Sequence, residues 1–167
     1  MGSSTSARDV VKSIVKQSPF ILLTEEEQEL LFAEAALLRC PQGQRILRPD
    51  TLPDQVFLVL SGTVRLLAKT PRGSRTLDRR SKGQLLGWVS LLRATPCEWV
   101  LASEDTVLLG LPAKTFVSCL EANKGFYEAL AQLCNVHEMD AVLQQTAAAD
   151  VRLAAGWQEQ LHFLGNS

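Results

Sequence analysis

The spacing of apolar residues divides the chain into three zones. In the first zone, from about Ala7 to Arg39, apolar residues recur every three or four positions, which is typical of amphipathic helices. The pair Ser18-Pro19 interrupts this spacing. Thr24 followed by Glu27 then forms a capping-box signature. The pattern predicts helices on both sides of the proline, the second starting after Thr24 and continuing to about Arg39.

The middle zone, Pro41 to Leu111, consists of short apolar runs separated by Gly, Pro and Ser. Its clearest predicted strands are Gln55 to Leu60 and Thr63 to Leu67, with a tight turn at Ser61-Gly62 between them. Further short strands are expected at Arg45 to Leu47, Arg75 to Asp78, Glu98 to Ala102 and Thr106 to Leu111. Short strands with such punctuation predict an antiparallel barrel or roll.

The third zone, from Pro112 onward, is helical again. A short helix is expected to end near Asn123, and a longer one carries an apolar stripe from Phe126 to Leu143. We therefore expect one structural domain that is mainly β with flanking helices. Its parts are a helical segment at 1–40, a β-roll at 41–111 and helices at 112–167.

Charge narrows the choice of partner. The chain has 17 basic and 18 acidic residues, whereas a duplex-binding domain normally shows a basic excess on one face. The basic clusters, Arg79-Arg80 with Lys82 and Arg72 with Arg75, lie near turn residues and are interpreted as solvated loop charges. Nucleic acid is therefore not expected as a partner.

The chain shows no pattern typical of a metal or catalytic site. Cys40, Cys97, Cys119 and Cys134 are dispersed without a close pair, so neither zinc nor a redox dithiol is expected. Phosphate-binding and dinucleotide fingerprints are absent from the sequence, and Cys134 with His137 is interpreted as structural. With no signal peptide and no apolar run of about 18 residues, we expect a non-enzymatic cytoplasmic protein.

Several segments, in order and at matching spacing, resemble the cyclic nucleotide-binding domain family. They are Pro41 to Leu47 with its Gly-x-x-Ile turn, Asp54 to Val64, Gly83 to Gly87, and the aromatic Phe116. The resemblance implies a double-stranded β-helix, or jelly-roll, of the cyclic nucleotide-binding type, with helices at both ends. It also implies a phosphate-binding cassette within 83–99.

Physical chemistry, apart from the family resemblance, also explains why such a cassette binds an anion. A single helical turn that interrupts a barrel presents backbone N–H groups without internal partners, which makes an anion site. A glycine before the turn allows a ligand to approach the backbone closely. The candidate ligand-binding residues are Gly87, Trp88, Val89, Ser90, Cys97 and Glu98.

Two cassette positions depart from the family pattern. The resemblance implies a ribose-binding glutamate where this chain has Trp88, and a phosphate-binding arginine where it has Cys97. A thiol brings no positive charge, and Glu98 brings the wrong sign if it faces the pocket. We therefore expect no cofactor and no binding of cyclic AMP or cyclic GMP in the family's usual manner. Two alternatives remain open: unusual contacts, with Arg93 or Arg65 supplying the charge, or a purely packing role for the cassette side chains.

The functional expectation is a non-catalytic regulatory or sensor domain. Leu86 to Arg93, Pro96 to Val100 and Ala102-Ser103 resemble an N-terminal roll of bacterial ABC-type peptide or toxin exporters. That resemblance implies attached transporter domains or a protein partner, and contact with a membrane only through them. The alternatives are a genuine cyclic-nucleotide sensor and a structural dimerisation module that uses the stripe from Phe126 to Leu143.

Overall fold

The structure is a computed structural model that describes residues 6–133. Its helices are α1 (Ala7–Ile14), α2 (Glu25–Ala33), α3 (Trp88–Leu92), α4 (Ala113–Ala122) and α5 (Lys124–Leu133), with a 3₁₀ turn at Phe20–Leu22. The strands are β1 (Ala36–Cys40), β2 (Arg45–Leu47), β3 (Gln55–Ser61), β4 (Val64–Thr70), β5 (Gly73–Arg80), β6 (Leu85–Leu86), β7 (Trp99–Ala102) and β8 (Thr106–Pro112).

The strands form two four-stranded antiparallel sheets. The first sheet has the order β1-β8-β3-β6, and the second has the order β2-β7-β4-β5. Most neighbours in each sheet are distant in sequence, as in a roll that winds back and forth between two layers. The prediction of an antiparallel β-roll with flanking helices is confirmed.

Strand β3 is buried on both faces, which explains its unbroken apolar run. Phe57 and Val59 pack in the interior of the roll, whereas Val56, Leu58 and Leu60 pack against the helices. A strand covered on both sides reads as a continuous hydrophobic segment instead of an alternating one. The roll interior is filled by Cys40, Leu47, Phe57, Val59, Val64, Leu66, Leu86, Val100, Ala102 and Leu108.

The roll begins earlier than the sequence predicted. Helix α2 ends at Ala33, and the chain enters β1, which pairs with β8 from Ala36 opposite Gly110 to Cys40 opposite Thr106. The expectation of a helix continuing to Arg39 is therefore wrong. The apolar spacing of this short segment fits both a helix and an edge strand, and the available partner β8 decides between them.

The turn before β4 brings two backbone segments into close approach. Gly62 has a φ of +86°, and a Cβ at this position would lie 2.5 Å from Oγ1 of Thr106. Both the left-handed conformation and the contact require glycine. This residue therefore seats the β3–β4 connection against the start of β8.

Most of the basic residues near the second hairpin lie in a strand, whereas Arg72 and Lys82 lie in turns. Strand β5 includes Arg75, Arg79 and Arg80, and the Arg80 side chain is only 6% exposed. The interpretation of these residues as solvated loop charges is therefore wrong for Arg80. Strand β5 continues past the predicted Asp78 because its pairing with β4 extends to Arg80 opposite Val64.

The helices cover one sheet only. Helices α1, α2 and α4 contact β3 and β8 of the first sheet. The outer face of the second sheet has no helix packed on it among the described residues. None of the helices within 6–133 is long and apolar enough to cross a membrane.

The proposed dimerisation stripe is partly used within the protomer. Phe126 and Leu130 of α5 are fully buried in the core between the helices and the first sheet. Leu133 is exposed, and the rest of the stripe, to Leu143, lies outside the described residues. Dimerisation through this stripe stays a prediction.

Candidate functional site

Gly87 turns the chain from β6 into α3. It precedes the first residue of the helix with a φ of +92°, a left-handed conformation that glycine adopts without steric cost. A Cβ here would lie 3.2 Å from the backbone carbonyl oxygen of Gln55. The start of α3 therefore lies close to β3. This agrees with the prediction that a glycine before the turn allows close approach to the backbone.

Glu98 is the acceptor for two of the backbone N–H groups at this turn, those of Gly87 and Ser90. Its carboxylate accepts hydrogen bonds from the Gly87 N–H (2.8 Å, to Oε2), the Ser90 N–H (2.9 Å, to Oε1) and the Ser90 hydroxyl (3.0 Å, to Oε1). The residue is only 3% exposed. Hydrogen bonds to a carboxylate are short and strong, and the start of a helix favours negative charge. The chain thus supplies its own anion to the cassette.

Cys97 packs beside this arrangement and adds no charge to it. Its N–H donates to the Ser90 hydroxyl oxygen at 3.3 Å, and its Sγ lies 3.5 Å from the same oxygen. The thiol is buried in the core between the roll and the helices. The Ser90 hydroxyl therefore links Cys97 to Glu98.

The predicted site residues separate into two groups. Gly87, Ser90, Cys97 and Glu98 come together around the start of α3. Trp88 and Val89 are buried in the core shared with the helices, in agreement with the packing alternative for Trp88. The notion that Arg65 or Arg93 supplies a charge finds no support, because Arg65 lies on the outer face of β4 and Arg93 follows the far end of α3.

A cavity of about 430 Å³ lies beside Trp88, which forms part of its wall. Polar and charged side chains contribute much of the lining, including Asp78, Arg80 and Lys82. Arg80 is held in place by donating from Nη1 to the Leu85 carbonyl at 3.1 Å, with its Nε 3.8 Å from Oδ2 of Asp78. The other lining residues are Gln17, Ser18, Pro19, Gly83, Gln84, Leu85 and Leu133.

Sequence reasoning missed Arg80 as a site residue. Its signal was the strand alternation, which places Arg80 on the same face as its partner Val64 in the roll interior. Because turn residues lie nearby, Arg80 was predicted to be in a solvated loop. Strand alternation carried through the whole hairpin would have placed this charge inside.

Metal-binding chemistry is absent from the part of the chain that the structure describes. No group of three His, Cys, Asp or Glu residues there could hold a metal ion. Burial raises the pKa of the Cys40 thiol and of the Cys119 thiol, and the charge of Glu27 raises that of Cys119 further. Cys134 and His137 lie outside the described residues.

The model of the cyclic nucleotide-binding domain matches residues 37–123, slightly more than half of the chain. The chain belongs to the cyclic nucleotide-binding domain family. Domains of this family are typically regulatory and non-catalytic. Apart from Ala36 at the start of β1, the matched range contains both sheets and the whole cassette.

Solved structures of regulators share the fold. The regulatory subunit of a cAMP-independent protein kinase A from Trypanosoma brucei has a TM-score of 0.67 and 16% identity, over 79% of this chain and 48% of that one. The catabolite activator protein of Thermus thermophilus has a TM-score of 0.56 and 32% identity, over 66% and 53%. The sensor domain of the transcriptional regulator DNR from Pseudomonas aeruginosa has a TM-score of 0.63 and 16% identity, over 72% and 87%.

The first two of these comparisons involve larger proteins. This chain spans about half the length of the kinase subunit and about half the length of the activator. Among curated protein sequences, none matches it. The family and the regulatory type therefore rest on the family model and on the fold.

Proposed function

We propose that this domain is a regulatory module in which the Glu98 carboxylate replaces the anionic group of a ligand. Cyclic AMP and cyclic GMP then do not bind in the family's usual manner. The domain acts through another ligand or through a protein surface. One observation carries the proposal: all three donors that Gly87 and Ser90 offer at the start of α3 are bonded to Glu98.

The electrostatic cost of adding a cyclic phosphate supports this proposal. Two negative charges about 4 Å apart repel by about 4 kcal/mol at an effective dielectric constant near 20. A penalty of that size weakens binding by about a thousandfold. Displacing Glu98 instead would leave a buried carboxylate unpaired, which costs about 3–5 kcal/mol. Cys97, in the place of the family's arginine, offers no compensating cation.

The cavity beside Trp88 supports a ligand of a different kind. Its lining joins Arg80 and Lys82 to Asp78, so it suits a small polar molecule with groups of both signs. The Trypanosoma brucei structure is named as the regulatory subunit of a cAMP-independent kinase. A regulator of this fold that acts without cyclic AMP is therefore consistent with the proposal.

The larger setting that we propose is a bacterial ABC-type exporter. The support is the resemblance of Leu86 to Arg93 and Pro96 to Val100 to an N-terminal roll of such exporters. In this setting the domain lies in the cytoplasm, has no catalytic activity of its own and works on attached domains. Its effect on transport is through contact and not through chemistry.

A second candidate is a cyclic-nucleotide sensor with unusual contacts. Arg80 favours it, because this buried cation lines the cavity next to the cassette. In that case the phosphate would lie toward Arg80 and away from Glu98. The two candidates differ in one measurable property, the affinity of the unmodified chain for cyclic nucleotides.

The test is calorimetric titration of the full chain with cyclic AMP and cyclic GMP. We expect no saturable heat up to about 1 mM ligand. A site with a Kd of about 10 µM would add about 2.7 kcal/mol to the free energy of unfolding at that concentration, so thermal unfolding offers an independent reading. We expect no change in Tm.

Micromolar binding of either nucleotide by the unmodified chain would contradict the first proposal. The variant Arg80→Gln then decides on the second candidate, because it removes the cavity cation and leaves Glu98 in place. Loss of that binding in Arg80→Gln would establish the sensor with unusual contacts. The matched control is Arg39→Gln on the exposed edge strand β1.

A further inference from the structure

Three arginines form one row across the outer face of the second sheet. Arg45 of β2 pairs with Leu101 of β7, Leu101 pairs with Arg65 of β4, and Arg65 pairs with Arg79 of β5. Residues in register share one face of a sheet. We call Arg45, Arg65 and Arg79 the arginine row.

The row faces away from the roll interior. Val64 and Leu66 flank Arg65 in β4 and both pack inside the roll, so Arg65 points to the opposite side. Arg45 and Arg79 are exposed, and Arg65 is half-buried. The helices within 6–133 pack on the first sheet, and none of them lies over the arginine row.

The charges of the row are not neutralised within the described part of the chain. None of the three side chains there forms a salt bridge or a hydrogen bond, and Nε of Arg65 is buried without an acceptor. Like charges directly opposite each other, such as Arg65 and Arg79, destabilise a sheet. An anionic partner would remove this repulsion and accept hydrogen bonds from the exposed guanidinium groups of Arg45 and Arg79.

A hollow of about 250 Å³ lies beside the row. Arg45, Lys69 and Trp99 line it, together with Arg48, Pro49 and Asp50. Arg48 and Asp50 are already paired with each other, at 3.1 Å between Nη2 and Oδ2. That leaves Arg45 and Lys69 as open cations, and the indole N–H of Trp99 is a buried donor with no acceptor. The hollow therefore offers positive charge to one carboxylate, and a small shift of the Trp99 ring would add its indole N–H as a hydrogen-bond donor.

We propose that the arginine row and its hollow bind an extended, acidic polypeptide segment. Strands lie about 4.8 Å apart, so the row spans about 14 Å. The first, third and fifth side chains of an extended segment lie on one face and span about 13 Å. Three carboxylates at alternating positions therefore reach the row. The planar guanidinium fork pairs with a carboxylate through two parallel hydrogen bonds, which lysine cannot provide.

The shape of the face favours a peptide over a lipid surface or a nucleic acid. The apolar side chains of this face are buried or half-buried, so none projects far enough to enter a bilayer; they are Leu67, Leu101 and Trp99. A single-stranded nucleic acid needs several exposed aromatic faces for its bases, and Trp99 is the one aromatic residue of this face.

The test measures fluorescence anisotropy of a labelled nine-residue peptide of alternating glutamate and threonine, with the full chain at low ionic strength. We expect the double variant Arg45→Gln/Arg65→Gln to raise the Kd at least about tenfold. The control, Arg8→Gln/Arg39→Gln, removes the same charge from α1 and β1, and we expect it to change the Kd less than about twofold. Circular dichroism confirms that all variants fold.

A second variant tests the hollow. Trp99→Phe keeps an aromatic ring against Leu67 and removes only the indole N–H, so a packing role predicts no change in affinity. We expect the Kd to rise about threefold or more, because a charge-assisted hydrogen bond is lost. If the Kd of Trp99→Phe is unchanged, no carboxylate of the peptide binds in the hollow.

Other outcomes overturn the proposal as a whole. One is equal weakening by the row variant and by its control, which would show attraction to overall charge and not to this face. Another is the absence of any binding to the peptide. The last is row-dependent binding to phosphatidylserine vesicles or to single-stranded DNA that is tighter than binding to the peptide. None of these results depends on whether the domain binds a cyclic nucleotide.

Discussion

The carboxylate of Glu98 is the single side chain on which the cassette depends. It is buried, and its two oxygens together accept three hydrogen bonds from Gly87 and Ser90. A buried carboxylate without partners would destabilise the fold by several kcal/mol, and unpaired N–H groups would do the same. Glu98 and the turn therefore satisfy each other.

Replacing Glu98 should cost stability at a site that sequence reasoning treats as a ligand contact. We expect Glu98→Ala to lower the free energy of unfolding by about 3 kcal/mol, because it leaves three donors without an acceptor and opens a small cavity. Chemical denaturation with urea measures this loss. The matched control is the exposed Glu104→Gln, which should change stability by less than about 0.5 kcal/mol.

A small anion should partly repair the Glu98→Ala variant. Formate has the size and charge of the deleted carboxylate, so its addition should raise the Tm of the variant more than that of the unmodified chain. If formate affects both proteins equally, the donors at the start of α3 do not form an anion site. That result would also remove the basis for the proposed function.

For single residues, the sequence predicts which side chains occupy the cassette but not the direction in which each one points. The departures at Trp88 and Cys97 were visible in the sequence because the resemblance fixed their positions. The direction of Glu98 was not, because it lies one residue before β7, where strand alternation no longer applies. Only the placement of α3 against this segment brings Glu98 to the donors.

At the scale of elements, Asn123 joins the helices that precede the roll to those that follow it. Its amide donates to the Leu22 carbonyl and to Oε1 of Glu27, both at 2.9 Å, and its Oδ1 accepts from the Phe126 N–H. Glu27 in turn completes the predicted capping box of α2 with Thr24. The link between α4 and α5 is thereby fixed to the start of α2.

These hydrogen bonds make stability depend on pH. The backbone N–H of Thr24 and the Asn123 amide lower the pKa of Glu27 below its ordinary value of 4.5. Since the folded state holds the proton less tightly, the contribution is complete above the unfolded pKa and is lost as the pH falls through the folded pKa. Glu27→Gln should therefore cost about 0.5–1 kcal/mol at pH 7 and nothing at low pH.

Urea unfolding at several pH values measures the difference between Glu27→Gln and the unmodified chain. Glu26→Gln is the control, since Glu26 is exposed in the same helical turn. It shares the interaction with the helix dipole but lacks the hydrogen bonds to Thr24 and Asn123. Equal losses in both variants would assign the effect to the dipole alone.

Elements were predictable where local pattern and long-range pairing agree. The capping box of α2, the strand β3 and the turn at Gly62 follow directly from residue types. The edge strand β1 did not, because its partner β8 is about 70 residues away in sequence. The same limit hid the arginine row, whose members come from three strands.

On the scale of the whole molecule, the described cysteines lie in two separate hydrophobic cores, so their accessibility shows whether each core is intact. Cys40 lies inside the roll, and Cys97 and Cys119 lie between the roll and the helices. All three are buried, and none of them is in a disulfide. Burial raises the pKa of Cys40 and Cys119, so little reactive thiolate is available in the folded state.

Thiol labelling should therefore follow global unfolding. In a Cys134→Ser background, which removes the cysteine outside the described residues, we expect Ellman's reagent to react at least about 100-fold more slowly with the native protein than with the unfolded one. Mass spectrometry of partly labelled samples identifies which thiol reacts first. Rapid labelling of Cys40 under native conditions would show that the roll opens independently of the helices.

The hydrogen bonds between Glu98 and the start of α3 limit the kinds of signal to which this domain can respond. A diffusible messenger controls a receptor because its concentration rises and falls. A group that is part of the chain is always present at a high effective concentration, whatever the state of the cell. In the proposed function, the start of α3 is therefore insensitive to depletion of any messenger. A change in the state of the domain then has to come from contacts elsewhere on its surface.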